Sequence, residues 1–317
     1  GGYIAVGFQD SDSQGGTDAL IIKYDSNLNT VSEQSLGGTE NDYFVSVIES
    51  NDGGYIAVGF QDSDSQGGTD ALIIKYDSNL NTVSEQSLGG TENDYFVSVI
   101  ESNDGGYIAV GFQDSDSQGG TDALIVKYDT NLNVVTQKIL GGSGNDLFES
   151  VIESNDGGYI AVGTQESDSQ GSSDALIVKY DTNLNVVTQK SLGGTDNDQY
   201  VSVIESNDSG YIAVGSQESD SQGSSDALIV KYDTNLNVII QKSLGGGSNE
   251  SYSSIIQSNN GGFIAVGFQG SADALIVEYD TNLNVITQKG FGGDTFEIFE
   301  TVIPESNGNF IAVYTED

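Results

Sequence analysis

Residues 1–52 read GGYIAVGFQDSDSQGGTDALIIKYDSNLNTVSEQSLGGTENDYFVSVIESND, and residues 53–104 repeat them letter for letter. The unit returns with growing drift from Gly105, Gly157, Ser209 and Gly261, and a partial start, GNFIAVYTED, opens at Gly308. Self-similarity at a period near 50 residues is the mark of an array or a propeller. The repeat therefore governs the reading of the fold before any local propensity does.

Within one unit four segments suit a pleated surface, being rich in Val, Ile, Tyr and Phe. Segment A is FVSVIES (Phe44–Ser50), B is GYIAVGF (Gly54–Phe60), C is DALIIKYD (Asp70–Asp77) and D is NTVSEQSLG (Asn81–Gly89). None carries a helical apolar spacing. The unbroken apolar run Ala71–Ile74 predicts that strand C is covered on both faces. Asp52-Gly53 between A and B supplies the positive φ of a tight hairpin. The C–D turn, Asp77 to Asn81, has short polar side chains that bond their own backbone. The B–C loop, Gln61 to Thr69, is the longest connection.

Four such antiparallel strands make one propeller blade. A solenoid would need capping units with polar outer faces, and the sequence has none. The expectation is an all-β fold: a six-bladed β-propeller of four-stranded antiparallel blades in a single domain over residues 1–317. Repeats start near residues 1, 53, 105, 157, 209 and 261, and a closing partial repeat spans 299–317. The last A segment (Phe299–Ser306) is expected to complete the first blade as a non-covalent clasp. That leaves one B strand over, Gly1–Phe8 or Phe310–Thr315, or places the chain in a longer parent. With no Met the chain reads as a mature or excised fragment.

These residues also resemble a known group. The pattern GGYIAVG…DALIVKYD…NLNVVTQKSLGG…SVIESNDGG is similar to β-propeller repeats of secreted and surface proteins in bacteria and archaea, and it shares with kelch repeats the Gly-Gly before strand B. Thr136 and Thr188 stand where members of the group commonly carry Trp. The resemblance implies an extracellular or cell-surface setting, with other domains in a longer parent chain, and no common activity.

The formal charge is −39, from 48 acids against nine Lys. Such a surface repels the phosphate backbone of nucleic acids and anionic lipid, and attracts cations. No 18-residue apolar run exists to span a membrane as a helix.

Alternation of strand direction puts the A–B and C–D turns at one end of each blade and the B–C loops and D–A connections at the other. In the first repeat the second end collects Asp10, Asp12, Asp18, Glu40 and Asp42, whereas Asp25, Glu49 and Asp52 fall at the first. The B–C loop places oxygen side chains at positions 1, 3, 5 and 9 and Gly at position 6, which resembles calcium loops in which alternate residues turn inward around a hard cation. The candidate ligands are Asp10, Asp12, Gln14 and Asp18, then Asp62, Asp64, Gln66 and Asp70, then Asp114, Asp116, Gln118 and Asp122. With Glu first, the set continues as Glu166, Asp168, Gln170 and Asp174, then Glu218, Asp220, Gln222 and Asp226. Against a calcium loop, position 5 is Gln, Ile21 stands where a bidentate Glu belongs, and the sixth repeat shortens the loop to Gln269–Asp273. The alternative is a solvated polar loop.

Three further sets recur. Glu49, Glu101, Glu153, Glu205 and Glu305 end strand A, either as an acidic ring or as hairpin residues facing water. Tyr3, Tyr24 and their equivalents are read as blade packing rather than sugar-stacking faces. Leu28, Leu80, Leu132, Leu184, Leu236 and Leu283 are expected to tuck over the ends of their own blades, the alternative being an exposed apolar partner surface.

Catalysis is the poorest fit. The chain has no His to shuttle protons at neutral pH, no Cys, and no Arg to clamp anions. The residues favour a non-catalytic binding, adhesion or scaffold module with repeated equivalent loops, and the resemblance implies an extracellular one. A structural spacer of a larger surface protein and a glycan-binding lectin are the alternatives; the lack of Trp counts against the lectin.

Overall fold

A computed structural model describes residues 2–10, 16–62, 67–114, 119–167, 169, 171–219, 221, 224–270, 273–293, 297–305 and 309–316. Among them there are strands and turns and no helix, so no helix is long and apolar enough to cross a membrane. The chain divides into two compact units, Gly1–Glu153 and Ser154–Asp317.

In the first unit β1 (Gly2–Asp10), β2 (Thr17–Asp25) and β3 (Thr30–Leu36) form a three-stranded antiparallel sheet. The next repeat adds an A strand to this pattern: β4 (Asp42–Glu49), β5 (Tyr55–Gln61), β6 (Asp70–Tyr76) and β7 (Thr82–Leu88) pair in chain order. So do β8 (Asp94–Glu101), β9 (Tyr107–Gln113), β10 (Asp122–Tyr128) and β11 (Val134–Leu140). Strand β12 (Asp146–Glu153) ends the unit.

In the second unit β13 (Tyr159–Gln165), β14 (Asp174–Tyr180) and β15 (Val186–Leu192) pair in the same antiparallel way. Four-stranded sheets follow, of β16 (Asp198–Glu205), β17 (Tyr211–Gln217), β18 (Asp226–Tyr232) and β19 (Val238–Leu244), and of β20 (Glu250–Gln257), β21 (Phe263–Gln269), β22 (Asp273–Tyr279) and β23 (Val285–Phe291). Strands β24 (Glu297–Pro304) and β25 (Phe310–Glu316) make a two-stranded sheet.

The expected clasp is not among the strand pairings of the described residues. The last A strand pairs with the B strand of its own repeat instead of with β1, which stays at the edge of its sheet. A short hairpin costs less closure entropy than a pairing across nearly the whole chain, so the local partner wins. This also accounts for the B strand that counting left over.

Burial follows the layer order. Strands β6, β10, β14 and β18, all of segment C, are buried at every residue, as the apolar run predicts. The D strands β3, β7, β11 and β19 are exposed except at their third and last residues, and β23 is exposed throughout. Within each unit, neighbouring sheets are sealed by apolar side chains from both. Phe96 and Val99 of β8 pack with Ile56, Val58, Ala71 and Ile73 of the preceding sheet, and Tyr128 and Leu132 join the same cluster. Two irregularities recur. The A strands β4, β8, β16, β20 and β24 bulge after their aromatic residue, as between Phe44 and Ser46, and each C–D pairing shifts just before the Tyr of strand C, at Lys75/Tyr76 and, in the sixth repeat, at Glu278/Tyr279.

The turns depart from expectation in one respect. Each turn Leu adopts the left-handed region, with φ from 56° to 65°, which costs an L-residue about 1–2 kcal/mol. It does not cover its own blade alone. Leu132 reaches residues of the sheet before it, and burying a Leu side chain offsets the strain by about 1.5–3 kcal/mol. Leu28, in the first repeat, is 67% exposed.

Candidate binding face

The end of the blades that carries the B–C loops is built by short hydrogen bonds between loop and connection. Asp62 N–H donates to the Asn41 carbonyl and Asp114 N–H to that of Asn93, both at 2.9 Å. The amide oxygens of Asn41, Asn93 and Asn145 accept from the N–H of Thr17, Thr69 and Thr121, each at 3.1 Å. The connections at Asn41 and Asn93 are thus tied both to the B–C loop before them and to the one after. The sequence calls this end the more acidic, and the tie holds those acids on rigid backbone.

Of the predicted loop ligands, Asp12, Gln14, Asp64, Gln66, Asp116, Gln118, Asp168, Gln170, Asp220 and Gln222 lie outside the described residues. The first acid of the loop is engaged locally: Thr121 Oγ1 donates to Asp114 Oδ1 at 2.6 Å, and Thr69 bonds Asp62 in the same way. The last acid turns elsewhere. A Cβ at Gly89 would lie 2.3 Å from Asp70 Oδ1 and 2.8 Å from Asp94 Oδ2. These two carboxylates, one opening strand C and one opening the next strand A, converge over the Gly that ends strand D. Gly141 sits in the same way between Asp122 and Asp146, and Gly193 between Asp174 and Asp198. Among the described residues no three acids gather as a metal cluster.

Asp198 shows what an A-strand acid does here. It accepts from the N–H groups of Gly194, Glu218 and Ser219 and from the Ser219 hydroxyl. Burial nevertheless pushes its carboxyl above the ordinary value, against the pull of those donors. Beside this rim in the first unit runs a ladder of partly exposed rings, Phe8–Tyr43–Phe60–Tyr95–Phe112, with successive centroids 4.7–4.9 Å apart. Thr164 and Ser216 replace the Phe in the fourth and fifth repeats, and Phe268 restores it in the sixth. The sequence reading missed the ladder because its rings alternate between two strands of neighbouring sheets.

The opposite end is a structural latch, and it is where the sequence reading missed most. Lys75 Nζ lies 2.7 Å from Asp52 Oδ2 and donates at 3.1 Å both to Tyr107 Oη and to the Thr130 carbonyl of the next sheet. Lys127, Lys179 and Lys231 repeat the ion pair with Asp104, Asp156 and Asp208 at 2.6–2.7 Å. Glu101 accepts from Asn51 N–H at 2.8 Å, Glu153 from Asn103 N–H and Glu205 from Asn155 N–H. These Glu residues clamp the hairpin of the preceding sheet; they are neither a free acidic ring nor simple solvent-facing residues. The C–D turns behave as read: Asp77 Oδ1 accepts from Asn79 and Asn81 N–H at 2.8 and 2.9 Å, and the bonds from Asn81 hold its carboxyl below the ordinary range. Tyr76, Tyr107, Tyr128, Tyr159, Tyr180, Tyr211, Tyr232 and Tyr279 are buried packing residues, whereas in the first repeat Tyr24 is only partly buried and Tyr3 is 40% exposed.

No family model matches the chain, and no curated protein does. Solved structures show the fold. The Pan2 WD40 domain of Neurospora crassa aligns over 96% of this chain and 83% of its own, with TM-score 0.56 and 10% identity. Sqt1 from Chaetomium thermophilum aligns over 95% and 71%, with TM-score 0.55 and 12% identity. Drosophila Plexin A, solved in complex with Semaphorin 1b, aligns over 99% and 85%, with TM-score 0.55 and 10% identity. WD40 repeats are propeller blades of four strands. At these identities the likeness concerns architecture alone, and it places the chain among propeller-type all-β repeat folds.

Proposed function

We propose that this chain is a non-catalytic interaction or scaffold module that presents its B–C/D–A rim to a partner. One observation carries the reading. The rim gathers carboxylates on loops fixed by the repeated Asn–Thr and backbone bonds, in a chain with no His, Cys or Arg to supply reactive chemistry. Repetition supports it further, since equivalent weak contacts add through multivalency. Plexin A was solved bound to a protein partner and BBS1N in complex with ARL6DN, which is consistent with a docking role for a fold of this kind.

The reading extends to an extracellular or cell-surface setting within a longer parent chain, with a surface protein or glycan as partner. Residues 1–317 would then act as one propeller; in support, single propeller-type chains align over 95–99% of it. The test is binding of the purified chain to arrays of glycans and of surface proteins. Saturable binding that weakens when Asp10, Asp62 and Asp114 are changed to Asn supports the rim. Binding indifferent to all three, or turnover of any arrayed glycan, contradicts the proposal.

A further inference from the structure

The fifth repeat contains a carboxylate pair that the chain itself does not neutralise. A Cβ built on Gly245 would lie 2.1 Å from Asp226 Oδ1 and 2.7 Å from Glu250 Oε2. The two oxygens therefore face one small volume. Asp226 is 4% exposed, and its enclosed Oδ1 has no hydrogen-bond partner among the described residues. Glu250 is 8% exposed and is held from behind: Oε2 accepts from Gly246 N–H at 3.1 Å and Oε1 from Gly270 N–H at 3.3 Å.

Among the described residues no ion pair is formed by Asp226 or Glu250. Lys231 is drawn to Asp208 at 2.6 Å, at the opposite end of the strand. Lys242 stands in register with Ile229, in the middle of the sheet. An unpaired buried carboxylate is costly unless something neutralises it. Oxygen ligands alone, with neither nitrogen nor sulfur, suit a hard cation such as Ca²⁺, whose oxygens lie at about 2.3–2.6 Å. One ion at that distance can touch both oxygens.

We propose that Asp226 Oδ1 and Glu250 Oε2 bridge a hard divalent cation of the Ca²⁺ class, with water completing its shell. Asp226 closes the calcium loop read from the sequence, but its partner is the acid that opens the following strand A and not another member of that loop. The glycine at 245 leaves the approach to the two oxygens clear. The arrangement recurs at Gly37, between Asp18 Oδ1 at 2.2 Å and Asp42 Oδ2 at 3.0 Å. Two protein ligands and an exposed glycine give an affinity on the order of 10⁻⁴–10⁻³ M, as in extracellular calcium modules.

The experiment is equilibrium dialysis of the whole chain against radioactive Ca²⁺ in 100 mM NaCl, with circular dichroism confirming the fold of each variant. Asp226→Asn is expected to lose about one bound ion per chain relative to the wild type. Glu250→Asp, which restores the residue type of the earlier repeats, is expected to keep it. Asp233→Asn, an exposed acid at the other end of the blade, is expected to leave the count unchanged. If Asp226→Asn does not fold, Glu250→Gln carries the same comparison. No Ca²⁺ retained by the wild type, or a count that Asp226→Asn and Glu250→Gln leave unchanged, overturns the proposal. Neither result bears on partner binding by the rim, which the arrays read separately.

Discussion

Leu28 and Leu80 occupy the same place in two repeats that are identical over 52 residues, and the structure predicts opposite consequences for truncating them. Both sit in the left-handed region, at φ 61° and 65°, so the strain is common to both and cancels in the comparison. What differs is cover. Leu80 is 0% exposed and packs with Phe44, Leu72 and Ile74 of its own sheet and with Ala19 and Ile21 of the sheet before it, whereas Leu28 is 67% exposed. Leu→Ala in a closed core costs about 2–5 kcal/mol, and an exposed truncation usually falls within about 0.5 kcal/mol of zero. Leu80→Ala should therefore destabilise by about 3 kcal/mol and Leu28→Ala by almost nothing. At roughly 2 °C per kcal/mol for a chain of this size, thermal melts followed by circular dichroism should separate the two by about 6 °C. Equal losses would refute the reasoning, because they would mean that the first sheet is covered like the others.

Two further outcomes follow from single positions. Ser209 stands at φ 66° where the other A–B hairpins carry Gly at φ 83–88°, so Ser209→Gly should stabilise by about 1 kcal/mol, read as a rise in urea midpoint. Stability should also be lost at both extremes of pH. Hydrogen bonds from Lys75, Lys127, Lys179 and Lys231 hold Asp52, Asp104, Asp156 and Asp208 below the ordinary carboxylate value. A lowered carboxylate contributes stability that is complete above the unfolded value near 4 and is lost as pH falls through the folded one. For Lys75 and Lys179, burial pulls the ammonium down, but the bonds to Asp and Tyr outweigh it and raise the folded value. Their contribution is complete below the unfolded value near 10.4 and is lost as pH rises past the folded one. Lys75→Met should remove its share of both arms in a pH series of melts; an unchanged profile would show that the latch adds nothing.

Much of the fold was legible because the repeat states it several times. The unbroken apolar run of segment C reported a strand covered on both faces, and Asp-Gly and Asp-x-Asn-x-Asn reported the two turns through chemistry local to five residues. What stayed hidden depends on a neighbour about 50 residues away. Lys75 looks like a solvated charge until Thr130 and Tyr107 of the next sheet are placed around it. Glu101 looks like a free acid until Asn51 of the previous hairpin meets it. Pairing of β24 with β25 was misjudged because strand counting weighs sequence type and not the entropy of closing the chain. At the candidate face the acids were legible from the loop, but their grouping was not: Asp70 opens strand C and Asp94 opens the next strand A, and only the fold sets both over Gly89.

The account rests on blades whose third strand is sealed between its neighbours while the fourth forms an edge. Native-state hydrogen exchange resolved by residue tests this most directly. The account predicts that amides of β6, β10 and β18, paired on both sides and buried at every residue, exchange last, and that those of β7, β11 and β19 exchange first among the strands. Fast exchange in the third strands, or equal protection of the fourth, would contradict it.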